Sequence, residues 1–448
     1  MQKIELAIGN AVKHRNYNAL ITETFDLARA QAKNALERGY EPFPVVVKDC
    51  YAVKDLRTTC ASQMLANYIT PYTATVVSRI VESGGCIIGK ANMDEFCMGT
   101  SSSYSYFGPV KNGFSDKDKL EKDWLIPGGS SGGSAVSVQL GLADVALGSD
   151  TGGSVRNPAA FTGTFGFKPS YGVLSRHGLI PLVNSLDCPS IIAKDAFECN
   201  RHFNPNDATS IEAPNSCFMG SRLFSSLTIG IPKEFFNQTL SDVCWNAWND
   251  AAKELVKMGC KLKEVSMPHI EYSIICYHVI AETDIASNMA RYDGVAYGYR
   301  SGNKLSTHEM YASARSKTLN EVVRRRILAG NYFLLRRHVE KYFGKALKVR
   351  RLIKNDFDRV FREEGCSALL TPVTTGPPPY FSQMKEGSYE RERSEDFYTQ
   401  PANMAGIPAC AVPFVNANGL PVSVQVMADH LNDGIVLEVA SVLQKIFL

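Results

Sequence analysis

The chain has 448 residues, of which 45% are hydrophobic and 21% are charged. This composition supports a large folded core and excludes a disordered, collagen-like or coiled-coil protein. Lysine and arginine outnumber aspartate and glutamate by 48 to 45, and a net charge of +3 gives no support for a surface built to bind nucleic acid.

The 12 cysteines are scattered without a CxxC pair, and no clustered histidines complete a metal site. This pattern is typical of reduced, mostly buried thiols in an intracellular protein. No stretch approaches the roughly 18 to 20 apolar residues of a membrane span, so we expect a soluble chain.

The first elements lead to a buried lysine. Residues 1–20 carry a weak basic, amphipathic pattern, compatible with organelle import or with an ordinary first helix. Residues 21–38 have helical periodicity, and Val45–Val47 then form a short buried strand that ends at Lys48. A helix at 73–83 and a turn with a central strand at 84–92 follow, and then a polar loop at 107–123. The region 240–360 is mostly helical. A strand at 366–373, two strands joined by a turn at Asn416–Gly419, and a helix at 434–447 complete the predicted elements.

Residues 127–170 are unusually rich in glycine and serine. A flexible linker is disfavoured, because the apolar run AVSVQLGLADVAL separates the glycine clusters. A phosphate-binding loop is also disfavoured, because Ser130 stands where a second glycine is required and no lysine follows Gly133. The segment therefore calls for another explanation.

Residues 128–132 satisfy the GxSxG pattern of a nucleophile elbow, for which Asp429 and His430 are candidate partners. An elbow follows a buried strand, however, and the preceding residues, DKDKLEKDWLIP, are mostly polar and charged. The remaining interpretation is a pair of glycine-flanked serines, Ser130 and Ser154, that approach each other in space. Neighbouring glycines allow several backbone N–H groups to point at one substrate oxygen.

The segments PGGSSGGSAV and GSDTGGSVRNPAAFTGTFGFKPSYG resemble the amidase signature, and VVVKDCYAV resembles the lysine segment of that family. The two serines are 24 residues apart, as in the family. The resemblance implies that Ser154 is the nucleophile, Ser130 a serine on a cis peptide and Lys48 the base. It also implies an α/β amidase-signature fold, a large mixed β-sheet surrounded by α-helices, in one domain over 1–448. Its parts would be a motif-bearing core at 42–190, a mostly helical substrate-pocket region at 240–360, and strands and a helix at 366–448.

Hydrolysis of an amide by a serine requires a base, a proton for the departing amine and stabilisation of the charge on oxygen. A lysine must be mostly neutral to act as the base, and we expect burial after the strand to favour that form of Lys48. Ser130 can relay the proton between Lys48 and Ser154, because a hydroxyl both donates and accepts.

The loop around Ser154 supplies the oxyanion candidates. Its backbone N–H groups, above all those of Thr151, Gly152 and Gly153, are expected to form the oxyanion hole. The flanking charges, on Asp150 and Arg156, are expected to pair with each other rather than to act on substrate.

Further segments resemble one branch of the family, the A subunits of glutamyl-tRNA(Gln) amidotransferases. They include TTCASQML at 58–65, ANMDEFCMGTSSSYSYFGPVKN at 91–112, VRRRILAGNYFLL at 323–335 and PANMAGIPACAVP at 401–413. The resemblance implies a protein that hydrolyses glutamine and passes ammonia to a B subunit, which activates Glu-tRNA(Gln) with ATP and magnesium. A small third subunit is implied too, with tRNA bound mainly through the partner and no cofactor or metal in this chain.

Glutamine carries a carboxylate and an ammonium group, so its pocket requires one cation and one anion. Arg326 has no acidic neighbour three, four or seven positions away, whereas Arg325 has Glu321 within reach. The resemblance implies Arg326 for the carboxylate, Asp396 for the amino group and Tyr277 as a further contact. A solvated arginine and an exposed acid at a helix start remain alternatives, as does Arg325 in place of Arg326.

Two other functions remain open at this point, a stand-alone amidase acting on a small or acyl amide and a scaffold that binds tRNA through its arginines. The arginines of 321–358 alternate with acidic residues, which is typical of ordinary helix faces. The segment before Lys48 and the region 195–228 are shorter than in bacterial A subunits. This indicates an organellar copy in the mitochondrial matrix, with a divergent copy in the bacterial cytoplasm as the alternative.

Overall fold

A mixed sheet with helices on both faces organises the chain. The computed structural model describes residues 1–203, 224–302, 306–385, 395–415 and 419–447. Eleven strands from these ranges join in one sheet, which confirms the predicted α/β class. Apolar clusters lie on both sides of the sheet, and each includes residues of helices and strands.

The strands are β1 (Leu20–Glu23), β2 (Phe43–Lys48), β3 (Gly85–Ala91), β4 (Val145–Asp150), β5 (Phe165–Lys168), β6 (Cys188–Ala193), β7 (Thr228–Pro232), β8 (Lys261–Val265), β9 (Ala368–Pro372), β10 (Ala409–Val415) and β11 (Pro421–Met427). Their order across the sheet is β1-β3-β2-β4-β6-β5-β10-β11-β9-β7-β8. β2 pairs in parallel with β3 and β4, and β7 with β8 and β9, whereas the other neighbours are antiparallel. The three segments distinguished in the sequence thus all contribute strands to this sheet.

The α-helices are α1 (Gln2–Lys13), α2 (Phe25–Glu37), α3 (Thr75–Glu82), α4 (Gly132–Gln139), α5 (Arg156–Thr162), α6 (Ala196–His202), α7 (Asp242–Lys257), α8 (Ser273–Met289), α9 (Thr307–Thr318), α10 (Glu321–Leu334), α11 (Lys345–Asp358), α12 (Phe381–Lys385), α13 (Gln400–Ala405) and α14 (Asp433–Phe447). A short 3-10 helix, Asp396–Tyr398, precedes α13. No helix within the described ranges has the length and apolarity needed to cross a membrane.

The strand β2 is buried on both faces. Val47 and Leu147 belong to the larger apolar cluster, while Val46 and Ala146 belong to the smaller one on the other face. This alternation follows from the two-residue period of a strand. Because β2 and β4 are parallel, with Val47 opposite Leu147, their carboxyl ends meet at one edge of the sheet. That edge holds Lys48 beside the end of β4.

Most elements predicted from the sequence are confirmed, including β2, β3, α3, β10, β11 and α14. The predicted helix at 21–38 is wrong at its start, because Leu20–Glu23 pair with β3 and α2 begins at Phe25. The helix α1 buries Ile4, Ala7, Ile8 and Ala11, as an ordinary packed helix does. Residues 416–418 of the predicted turn, and most of the segment 195–228, lie outside the described residues.

The helical interpretation of 240–360 is wrong at β8. This strand, KLKEV, is the last in the sheet and leaves three of its five residues exposed. A polar edge strand lacks the apolar alternation that marks a strand in the sequence. Its formation depends on pairing with β7.

Candidate active site

Lys48 ends β2 with its side chain fully buried. Its Nζ donates to Ser130 Oγ at 2.8 Å and to Ser149 Oγ at 2.9 Å. Among the described residues, no carboxylate lies within ion-pair distance of this amine. A buried amine surrounded by hydroxyls, without a counter-charge, is suited to accept a proton.

Ser130 lies in the loop just before α4, which packs closely against Ser101 and Ser102. The peptide bond between Gly129 and Ser130 is cis. A Cβ at Gly129 would come within 2.6 Å of the backbone N of Ser101, so the loop can approach its neighbour only with glycine there. Ser102 adds a further anchor, because its Oγ accepts from the N–H of Gly132 at 3.0 Å. The Ser130 hydroxyl is thereby fixed on the amine of Lys48.

Ser154 lies on the neighbouring loop, and Ser131 joins the two loops. The N–H of Ser131 donates to the carbonyl of Ser154 at 3.1 Å, and its hydroxyl donates to the carbonyl of Ser149 at 3.3 Å. Ser154 is half-buried, whereas Lys48 and Ser130 are fully buried. The fold thus brings the three predicted residues to one edge of the sheet, with Ser154 nearest to solvent.

Asp150 and Arg156 form the internal ion pair that the sequence predicted, and the structure confirms it. Arg156 Nη2 lies 2.9 Å from Asp150 Oδ1, and both side chains are fully buried. The guanidinium also donates to Gln425 Oε1 at 2.6 Å and to the carbonyl of Thr399 at 2.8 Å. Burial alone would raise the pKa of Asp150, but Arg156 outweighs it and holds that pKa well below its usual range. The pair ties the loop to distant parts of the chain.

The N–H groups predicted for an oxyanion hole do not all face the same way. Gly153 donates its N–H to Asp150 Oδ1 at 2.9 Å, so this donor is engaged inside the loop. The hydroxyl of Thr151 donates to Asp187 Oδ1 at 2.8 Å, which fixes the first residue of the loop. The geometry is therefore compatible with Thr151 and Gly152 as donors and does not support Gly153.

Tyr277, on α8, packs against the same loop. A Cβ atom at Gly152 would lie 2.9 Å from two ring carbons and 3.0 Å from the hydroxyl of Tyr277, so glycine permits this approach. Burial raises the pKa of Tyr277 strongly, while the charge of Arg326 opposes the rise and that of Asp396 adds to it. Both charged groups therefore lie within electrostatic reach of the Tyr277 hydroxyl, next to the loop that carries Ser154.

Arg326 lies on α10, which packs on α8. It is half-buried, whereas Arg324 and Arg325 are exposed, which agrees with the inward orientation predicted from periodicity. No carboxylate of the described residues lies within ion-pair distance of Arg326. A half-buried guanidinium of this kind is available to a carboxylate from outside the chain, and its orientation favours it over Arg325.

Asp396 begins the 3-10 helix before α13 and is half-buried. Its Oδ2 accepts from Gln400 Nε2 at 3.3 Å. Three residues later, Thr399 donates its hydroxyl to the carbonyl of Gly152 at 2.7 Å. The segment that carries Asp396 is thus hydrogen-bonded directly to the loop that carries Ser154.

The alternatives considered for this segment do not fit the geometry. The residues before Ser130 form a loop with one isolated bridge at Leu125, so no strand leads into a nucleophile elbow. The carboxylate of Asp429, a candidate partner in such a triad, instead accepts from Arg362 Nε at 3.0 Å and from the N–H of His430 at 2.8 Å.

In the part of the chain that the structure describes, no three side chains able to bind a metal ion come together.

The family model described as Amidase matches residues 4–437. The chain belongs to the amidase family. This amidase is 46% identical over 447 residues to the mitochondrial A subunit of glutamyl-tRNA(Gln) amidotransferase of Ixodes scapularis, covering 95% of this chain and 88% of the relative. It is 44% identical over 465 residues to the protein of the same name from Homo sapiens, covering 97% and 88%.

A solved structure supports the same grouping of this amidase. The crystal structure of the A subunit of glutamyl-tRNA(Gln) amidotransferase from Thermotoga maritima aligns with a TM-score of 0.78 and 33% identity, covering 99% of this chain and 90% of that chain. A crystal structure described as an amidase aligns with a TM-score of 0.81 and 27% identity, covering 100% and 96%.

Sequence reasoning missed several residues around the amine of this amidase. Ser149 was not singled out in the motif, yet its hydroxyl contacts Lys48. Its position two residues after the buried Leu147 of β4 was a usable signal, since both residues face the same side of a strand. Two thiols, Cys50 and Cys97, approach the Ser149 hydroxyl at 3.8 and 3.6 Å. No pattern in the sequence indicated these contacts.

Glu95 connects the loop before the signature to α10 of the amidase. Its carboxylate accepts from the hydroxyl of Ser62 and, at 2.8 Å, from the N–H of Asn320, which caps α10. Burial raises the pKa of Glu95 from 4.5 to about 7, although these hydrogen bonds oppose the rise. Because the folded state binds this proton more tightly, the free energy of unfolding falls as pH rises from about 4.5 to about 7.

Replacing Glu95 with glutamine should remove this pH dependence. The new side-chain amide would still accept from the Asn320 N–H and could donate to Ser62, so we expect a gain of up to about 3 kcal/mol over the parent at pH 8 and little change at pH 5. Denaturant unfolding at both pH values measures the difference. The exposed Glu37→Gln serves as control, and an unchanged slope in Glu95→Gln would contradict the prediction.

Proposed function

We propose that this amidase is the glutamine-hydrolysing A subunit of a glutamyl-tRNA(Gln) amidotransferase. The observation that carries the proposal is the 2.8 Å contact between the buried amine of Lys48 and the hydroxyl of Ser130, next to the loop of Ser154. This contact supports base-assisted serine chemistry, and the similarity to A subunits over nearly the whole chain supports glutamine as the amide.

In the proposed reaction, Lys48 accepts a proton from Ser130, which takes one from Ser154. Ser154 Oγ attacks the carboxamide carbon of glutamine, and the charge on oxygen is stabilised by the N–H groups of Thr151 and Gly152. The C–N bond then breaks as the proton returns through Ser130 to the leaving nitrogen, which departs as ammonia. Water hydrolyses the acyl-enzyme by the same relay and releases glutamate.

The substrate would be held at its amino-acid end. Arg326 is proposed to bind the carboxylate of glutamine, because it is half-buried and has no carboxylate partner among the described residues. Asp396 would bind the ammonium group, and the Tyr277 hydroxyl would contact the substrate between these charges and the glycine loop. The carboxamide would then reach the Ser154 hydroxyl.

The proposed complex contains two further proteins, a B subunit together with a small third subunit. Ammonia released here would pass to the B subunit, which would activate Glu-tRNA(Gln) with ATP and magnesium and bind most of the tRNA. The relatives' names include the word mitochondrial, which supports a mitochondrial location, and we propose the matrix.

Ammonia release tests the proposed function. The purified chain and the assembled complex are each assayed with glutamine, asparagine and simple acyl amides. We expect hydrolysis of glutamine that increases in the complex, and little turnover of the other amides. Rapid turnover of simple amides by the chain alone, with glutamine a poor substrate, would instead establish a stand-alone amidase.

Replacing Arg326 with methionine should weaken glutamine binding. Loss of a charge-assisted contact of about 1.5 to 3 kcal/mol raises KM about 10- to 100-fold, with a smaller change in kcat. Steady-state kinetics of ammonia release measure both constants. The exposed Arg325→Met on the same helix is the matched control, and equal KM effects in the two variants would refute the role of Arg326.

A further inference from the structure

Two cysteine thiols lie beside the amine of Lys48. Cys50 Sγ is 3.8 Å and Cys97 Sγ is 3.6 Å from the hydroxyl of Ser149, which accepts from Lys48 Nζ at 2.9 Å. Each thiol also influences the ionisation of the other, and the nearby amine of Lys48 influences both. Both cysteines are unpaired thiols in this structure. They come from different segments of the chain, one following β2 and the other in the short helix Glu95–Cys97.

The two thiols have opposite electrostatic environments. The neighbouring Cys50 thiol and the nearby amine of Lys48 lower the pKa of Cys97 to about 6 against the effect of burial. Burial raises the pKa of Cys50 well above its ordinary value. Cys97 is therefore the thiol of the pair that ionises more readily, and Cys50 keeps its proton. Other cysteines differ, since the thiols of Cys276 and Cys410 donate to backbone carbonyl groups and burial raises the pKa of each.

Oxidation of this pair requires a small oxidant to reach Cys97. Cys97 keeps 7% of its surface exposed, whereas Cys50 keeps none. The proposed hydrolysis requires water to enter the site and ammonia to leave it, so molecules of that size reach the groups around Lys48. Hydrogen peroxide is only slightly larger than water.

We propose that Cys97 and Cys50 form a peroxide-sensitive thiol pair whose oxidation to a disulfide reversibly stops amide hydrolysis. Cys97 passes its proton through the Ser149 hydroxyl to the neutral amine of Lys48, and its thiolate attacks one oxygen of hydrogen peroxide. The O–O bond breaks, a sulfenic acid forms, and the departing hydroxide takes the proton back from Lys48 as water. The sulfur of Cys50 then attacks the sulfenyl sulfur, the S–O bond breaks, and the departing hydroxide takes the Cys50 proton. In total, two thiols lose two electrons and two protons, and one peroxide becomes two waters.

The disulfide would alter the surroundings of the amine. It joins the sulfurs at about 2.05 Å and removes the S–H contacts to Ser149. Ser149 holds Lys48, so a shift of the Ser149 hydroxyl would cost the amine its present alignment on Ser130. A displacement of about 1 Å at a reacting group costs about 100-fold in rate. This inference depends on the proposed function for its effect on activity but not for the disulfide itself.

Peroxide treatment of the assembled complex tests the pair in two independent ways. Glutamine hydrolysis is measured before treatment, after hydrogen peroxide and after subsequent dithiothreitol, and non-reducing peptide mapping locates any disulfide. We expect an about 100-fold loss, a peptide that links Cys50 to Cys97, and recovery on reduction. Absence of that cross-linked peptide at full inactivation would overturn the proposal.

Variants separate the roles of the two thiols, each compared with its own untreated rate. Cys97→Ala should become insensitive to peroxide. Cys50→Ala should be inactivated without recovery in excess peroxide, because its sulfenic acid has no partner thiol and is oxidised further to a sulfinic acid, which dithiothreitol does not reduce. Cys410→Ala, which removes a buried thiol elsewhere, should respond like the parent. Equal inactivation of Cys97→Ala and the parent would refute the proposal. Failure of the proposed function is recognisable separately, because the reduced parent would then not hydrolyse glutamine although the cross-linked peptide still forms.

Discussion

Replacing Ser154 with alanine is expected to stop glutamine hydrolysis while leaving ammonium-driven amidation intact in the assembled complex. The alanine variant lacks the oxygen that attacks the carboxamide, and removing a nucleophile costs about 10⁴- to 10⁶-fold in kcat. The half-buried side chain can be shortened with little effect on the fold. Ammonia release from glutamine and formation of Gln-tRNA(Gln), with either glutamine or ammonium chloride as nitrogen donor, are the two measurements.

The matched control for Ser154 is Ser137→Ala, which removes another serine hydroxyl of the same glycine- and serine-rich segment. Ser137 is buried in α4 and donates to the carbonyl of Gly133 at 2.7 Å, away from Lys48. We expect it to keep both activities. If Ser154→Ala lost amidation with ammonium as well, the chain would act as a scaffold; if it kept glutamine hydrolysis, Ser154 would not be the nucleophile.

The sequence predicted secondary structure and side-chain direction correctly where these depend on a local pattern of residues. The apolar run before Lys48 predicted a buried strand, and the structure has β2 at Phe43–Lys48. The pattern of Arg324, Arg325 and Arg326 predicted which arginine turns inward, because a helix fixes the direction of each side chain. In both cases the information lies within a few residues.

The sequence was less informative where distant segments meet. Ser149 is 101 residues from Lys48, and their contact depends on the parallel pairing of β2 with β4. Leu20–Glu23 become a strand because β3 offers an open edge, although their local pattern suits a helix. Gly153 is only three residues from Asp150, but the carboxylate that its N–H engages is also held by the side chain of Asn403, which is 253 residues away. None of these outcomes is encoded within one window of the chain.

Replacing Lys48 with methionine is expected to lower kcat for glutamine hydrolysis by on the order of 10³-fold and to change KM little. Methionine fills a similar volume but cannot accept the Ser130 proton across the 2.8 Å contact. The substrate-binding groups proposed at Arg326 and Asp396 belong to other elements, so binding should persist. Single-turnover ammonia release and glutamine binding, measured separately, distinguish these two effects.

A charge-preserving variant decides whether Lys48 acts as a base or as a fixed cation. Lys48→Arg keeps the positive charge, but arginine does not give up its proton in proteins, so it should be as inactive as Lys48→Met. The exposed Lys54→Met, on the loop after β2, should behave like the parent. Thermal unfolding of all three variants checks that the fold is retained. Activity near the parent in a folded Lys48→Arg would show that the site needs only a positive charge there, and the proton relay through Ser130 would have to be abandoned.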